Sequence, residues 1–122
     1  MVKIYHNIIK DCLKELSDKS FQDRVWTGSS PSEMSSFTEA AEQLYGGTGL
    51  HFAYKQDQPV YGEEVDNLLK KLRTTLKGIP INRHPVELVQ DEKMIPVRKM
   101  AADILNKIEQ KEATDRLQNK QA

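Results

Sequence analysis

The chain has 122 residues, 38% of them hydrophobic and 30% charged, with a formal net charge of zero. That length suits one domain with one core, and the apolar content is too high for wholesale disorder. No apolar run approaches the roughly 20 residues that cross a bilayer, and the single cysteine, Cys12, rules out an internal disulfide framework.

The charges are segregated along the chain. Residues 1–26 balance to +1 and residues 70–122 to +5, whereas residues 27–69 sum to −6, with Lys55 alone against Glu33, Glu39, Glu42, Asp57, Glu63, Glu64 and Asp66. An acidic middle third between two more basic ends is a statement about partners rather than about fold. The opening MVKIYHNIIK has charge and polarity where a secretory signal needs an unbroken apolar region, and a cytoplasmic location is expected.

In chain order, Ile4, Ile8, Ile9, Cys12, Leu13 and Leu16 recur at helical spacing and predict an amphipathic first helix. Asp18 and Ser20 offer caps, and Ser20 with Asp23 resembles a capping box opening a short helical turn that buries Phe21, Val25 and Trp26. Gly28 to Pro31 breaks it. Ser36-Phe-Thr-Glu39 is a second capping box, followed by Phe37, Ala40, Ala41 and Leu44 at spacings that define another helix, with Gly46 at the expected stop.

Leu50 to Tyr54 suits a short strand or a short helical turn equally, and Lys55 to Pro59 reads as a loop. Val65, Leu68, Leu69, Leu72 and Leu76 form the clearest stripe, with acids in the first turns, bases in the last and Gly78 just beyond. Pro85 suits the first turn of a brief helix ending near Gln90. Pro96 does the same for a last long helix carrying Val97, Met100, Ala101, Ile104, Leu105 and Ile108. The polar residues 112–122 are expected to fray, leaving residues 1–111 as a single domain. The sum is an all-α, compact array of about five to six helices, three of them long and amphipathic.

Cys12 is in phase with the buried stripe, where a nucleophile would need exposure and a neighbouring base. His6, His51 and His84 form no H-x-x-x-H or HExxH pair that would aim two imidazoles at one metal, so no metal and no cofactor are expected. The serines from Ser29 to Ser36 lack a G-x-S-x-G elbow, and Gly46-Gly47 lacks the G-K-[ST] of a phosphate loop. No catalytic residue is assigned; an enzyme working through His51 or His84 is the remotest alternative.

The acidic belt is the feature that local structure explains least. Glu33, Glu39, Glu42, Asp57, Glu63, Glu64 and Asp66, with Tyr54 and Tyr61 as rigid aromatic anchors, form the candidate partner-binding set. Lys70, Lys71, Arg73 and Lys77, with the basic final third, define the alternative of a nucleic-acid-binding regulator.

Two stretches, RVWTGSSPSEMSSFTEAAEQLYGG and VYGEEVDNLLKKLRTTLKGI, together resemble a family of small bacterial proteins similar to the immunity proteins of contact-dependent growth inhibition systems. The resemblance spans Phe21 to Ile79. It implies a helical, non-enzymatic protein that forms a heterodimer with a cognate toxin domain, often a nuclease, and silences it. It brings no set of functional residues.

Overall fold

The computed structural model describes residues 1–28 and 36–121, and no strand occurs among them. The fold is all-α. Seven helices follow one another: α1 (His6–Ser17), α2 (Lys19–Phe21), α3 (Phe37–Glu42), α4 (Leu50–Lys55), α5 (Glu63–Lys77), α6 (Pro85–Gln90) and α7 (Met94–Gln121). Their apolar stripes close on a single core.

The three long amphipathic helices form as their spacing predicts, because each hides one stripe and leaves the opposite face in water. α1 buries Ile9, Cys12, Leu13 and Leu16, and α5 buries Val65, Leu69, Leu72 and Leu76. α7 contributes Met94, Val97, Ala101, Ile104 and Ile108, alternating steps of three and four. It is the axis of the fold, about 42 Å long at 1.5 Å per residue, and both α1 and α5 pack along it. Its last buried side chain among the described residues is Ile108, and the helix extends through polar residues to Gln121.

Two helices widen in their final turn. α2 runs into a π-helical turn at Gln22–Trp26 and α3 into another at Gln43–Gly47. Each starts at a glutamine and ends against a threonine whose hydroxyl donates to the carbonyl four residues back, Thr27 to Asp23 and Thr48 to Leu44. Each widened turn carries an aromatic, Trp26 in the first and Tyr45 in the second, and both are buried in the core. Trp26 then meets Phe37 edge to face at 6.0 Å.

Caps are set locally. Asp18 rather than Ser20 caps α2, accepting from the Phe21 N–H at 3.1 Å. Ser36 caps α3 by accepting from the Glu39 N–H at 3.1 Å. His84 caps α6 through Nδ1, which accepts from the Val86 N–H at 3.2 Å, with Pro85 at the first helical position. α7 begins at Met94, so Pro96 lies inside its first turn, where no N–H is required. Leu50 to Tyr54, ambiguous in sequence, is helical, and the chain reverses before it at Gly49 (φ 91°) rather than at Gly46.

Gln22 is the polar pin of the core. It is fully buried, donates through Nε2 to the carbonyls of Glu15 at 2.8 Å and Leu16 at 3.0 Å, and accepts at Oε1 from Arg98 Nε at 2.8 Å. Arg98 also donates to the Val89 carbonyl. One amide thus satisfies the open end of α1 and ties it to α7 and α6.

Candidate functional site

The acidic residues of the middle third divide between the two ends of α5. At its N-terminus, Asp66 is 6% exposed and turned inward. Oδ1 accepts from the Tyr54 hydroxyl at 2.9 Å and from the Tyr61 N–H at 3.1 Å, and Oδ2 accepts from the Val60 N–H at 3.0 Å. The carboxylate sits in the first turn of α5, where the helix dipole also favours it, and fastens the loop from α4 onto that turn. Burial raises the Tyr54 phenol well above its ordinary range, and the bond to Asp66 raises it further.

Tyr61 is likewise internal, 7% exposed, with its hydroxyl 2.8 Å from His6 Nδ1. Its carbonyl accepts from Lys111 Nζ at 2.6 Å. Burial, followed by the nearby Glu112, pushes its phenol up. Glu64 pairs with Lys107 at 2.9 Å, which lowers its carboxyl and raises the lysine. Glu63 is exposed beside it, and Asp57 lies exposed in the preceding loop with a left-handed backbone at φ 55°. The proposed partner-binding set thus loses Asp66 and Tyr61 to internal structure. Neither proximity nor charge alone distinguishes these carboxylates in the sequence; only the loop that folds back over Asp66 does.

Glu39 and Glu42 lie elsewhere, on the exposed side of α3, and neither is ion-paired among the described residues. Glu33 falls outside the described residues. Beside Glu42 opens a groove of about 630 Å³ between α3 with its widened turn and the C-terminal half of α5. Phe37, Ala41, Tyr45, Leu76, Ile79 and Ile81 supply its apolar lining, and Glu42, His51, Arg73 and Lys77 its polar groups. Sequence reasoning missed this site because its walls, α3 and the end of α5, are separated in sequence by α4 and the loop after it. The one available signal was Ile79 and Ile81, apolar residues beyond the last turn of α5 with no helical stripe to join.

Arg73 is the organised cation of the groove. Its guanidinium lies over the Tyr45 ring, 5.2 Å from the centroid, and Nη1 donates to His51 Nδ1 at 2.9 Å, which places the imidazole proton on Nε2. Tyr45 is held in turn by its hydroxyl, which donates to the Leu69 carbonyl at 2.7 Å. No carboxylate among the described residues pairs with Arg73.

Several basic residues of the final third make internal contacts. Lys107 and Lys111 are engaged at the start of α5, Arg98 is inside the polar pin, and Arg83 pairs with Asp91 at 3.1 Å. Lys70 sits over the Tyr54 ring at 5.0 Å. Lys71, Lys77, Lys93 and Lys99 are exposed.

Cys12 is packed in α1, and burial, with Glu15 and Asp11 adding to it, pushes its thiol up to about 11. A thiolate is therefore scarce at neutral pH. Alkylation by iodoacetamide at pH 8 is expected to run more than about 100-fold slower in the folded chain than in urea, as that rise in pKa implies; comparable rates would place the thiol at the surface.

His84 is spent on a helix cap, His6 faces Tyr61, and His51 accepts from Arg73. Among the described residues no three His, Cys, Asp or Glu side chains gather as a metal site would require, and no helix is long and apolar enough to cross a membrane. No family model, no curated protein and no solved structure matches this chain.

Proposed function

We propose that the chain is a non-enzymatic binding protein of the immunity type, which neutralises a cognate toxin domain by covering its active site. The observation that carries this reading is the face of α3. Glu39 and Glu42 project there without ion partners among the described residues, beside an open apolar groove. Exposed, uncompensated carboxylates next to apolar area meet a cationic cleft with both complementary charge and something to bury. The interface is narrower than the acidic belt as a whole: Asp66 and Tyr61 are structural, and Glu64 is paired with Lys107.

The test is rescue. Co-expression with the toxin domain encoded immediately upstream should restore growth, and the purified pair should form a one-to-one complex. Glu39→Lys with Glu42→Lys should slow association about tenfold or more at low salt and weaken protection, because rim charges act mainly on the encounter rate. Glu64→Lys, whose carboxylate already faces Lys107, should change association far less. Rescue and association indifferent to the α3 reversal would remove this face as the interface.

A further inference from the structure

The groove has more definition than a generic apolar patch. Its lining continues past Phe37, Thr38 and Ile81 into a second cleft, so the two form one elongated depression. Trp26 and Arg83 line that second cleft. Trp26 is only 5% exposed, and its indole nitrogen is itself buried, with no acceptor among the described residues. At the opposite end stands Arg73, oriented by Tyr45 and His51 and lacking a carboxylate. Ile81, 59% exposed, stands at the junction of the two clefts.

We propose that this depression receives an extended peptide segment of a protein partner, with a carboxylate side chain on Arg73 and a large apolar side chain beside Ile81 and Leu76. The proposal rests on the reading of the chain as a partner-binding protein and specifies the chemistry of the bound segment. Length favours a peptide over a small organic acid, since two tandem clefts that share Phe37, Thr38 and Ile81, with Arg73 lining only the first, match an extended chain. Charge sets its direction. Arg73 and Lys77 form the α5 wall and Glu42 the α3 wall, so the acid of the segment lies toward α5 and any basic neighbour toward α3. A guanidinium already held by a ring and an imidazole loses little freedom on accepting a carboxylate, which favours a planar two-point contact.

The experiment is selection from a phage-displayed random dodecapeptide library on the full chain, followed by fluorescence polarisation of the enriched peptides. Enriched sequences should share a large apolar residue next to Asp or Glu. Arg73→Gln should weaken them at least tenfold, with partial recovery in Arg73→Lys, and replacing the peptide's acid by its amide should cost wild type tenfold but Arg73→Gln almost nothing. Ile81→Asp, at an exposed position that does not threaten folding, should abolish binding. Glu39→Lys with Glu42→Lys should leave the acidic peptides bound at least as tightly. Absence of a shared motif, or peptides that bind Arg73→Gln as well as wild type, would overturn the assignment. So would native mass spectrometry showing a co-purified organic acid of a few hundred daltons in the groove. Toxin neutralisation without peptide selection removes the groove alone, whereas peptide selection without toxin rescue removes the toxin reading and leaves the groove.

Discussion

Asp66→Ala should lower stability by about 3–4 kcal/mol, the largest effect expected of any single polar substitution in this chain. The carboxylate is almost fully enclosed and accepts from three donors, Tyr54 Oη, Val60 N and Tyr61 N. Removing it strands the donors rather than merely deleting attractions, and a buried donor without a partner loses its full solvation. Chemical denaturation would read the loss directly, and thermal melting should show a drop on the order of 10 °C or more for a domain of this size. Asp66→Asn keeps an acceptor but turns an amide toward donors, and should lie between the two. Asn67→Ala, one residue on and exposed, is the matched control and should stay within about 0.5 kcal/mol. If Asp66→Ala were as mild as that control, the carboxylate would have to face solvent, and it would return to the candidate partner-binding face.

Gly49→Ala is the second severe change. Gly49 adopts φ 91°, and a Cβ there would stand 2.4 Å from the Lys3 carbonyl oxygen and 3.3 Å from Val2 Cγ1. Both the left-handed backbone and the close approach of the N-terminal segment require the absence of a side chain. That segment is fastened nearby by the Tyr5 N–H donating to the Thr48 carbonyl at 3.0 Å. It is also held by Gln58, whose amide exchanges hydrogen bonds with the Val2 main chain at 2.9 and 3.1 Å. The expected cost is about 2–4 kcal/mol, combining backbone strain with overpacking, and amide exchange at Tyr5 should accelerate. Gly46→Ala gives the contrast. Its Cβ would meet nothing within 4 Å and its φ is not positive, so this change should be neutral or stabilising by about 0.5–1 kcal/mol. Equal effects at the two glycines would place the reversal of the chain elsewhere.

The contrast between Gly46 and Gly49 shows what a sequence reading can and cannot reach. Gly46 stood at the expected distance after a helical stripe, and a single helix considered alone would stop there. The widened turn at Gln43–Gly47 carries the chain one step further because Tyr45 gains a buried position and a bond to the Leu69 carbonyl, twenty-four residues away. The same holds for Asp66. Its place four residues into an amphipathic helix is that of an ordinary first-turn acid, and its inward turn depends on a loop closing over it.

The sequence by itself determined the all-α class, the stripes of α1, α5 and α7, the cap at Ser36, the helix start at Pro85, and the charge imbalance of the middle third. Those features arise from hydrogen bonds and side-chain spacings within a few residues, which the backbone cannot realise in many other ways. Only the tertiary structure decided which carboxylates remain at the surface, where the chain reverses before α4, and that α3 and the end of α5 enclose a groove with Arg73 inside it. Burial and long-range hydrogen bonding are properties of segments brought together after the helices form, so no local pattern encodes them.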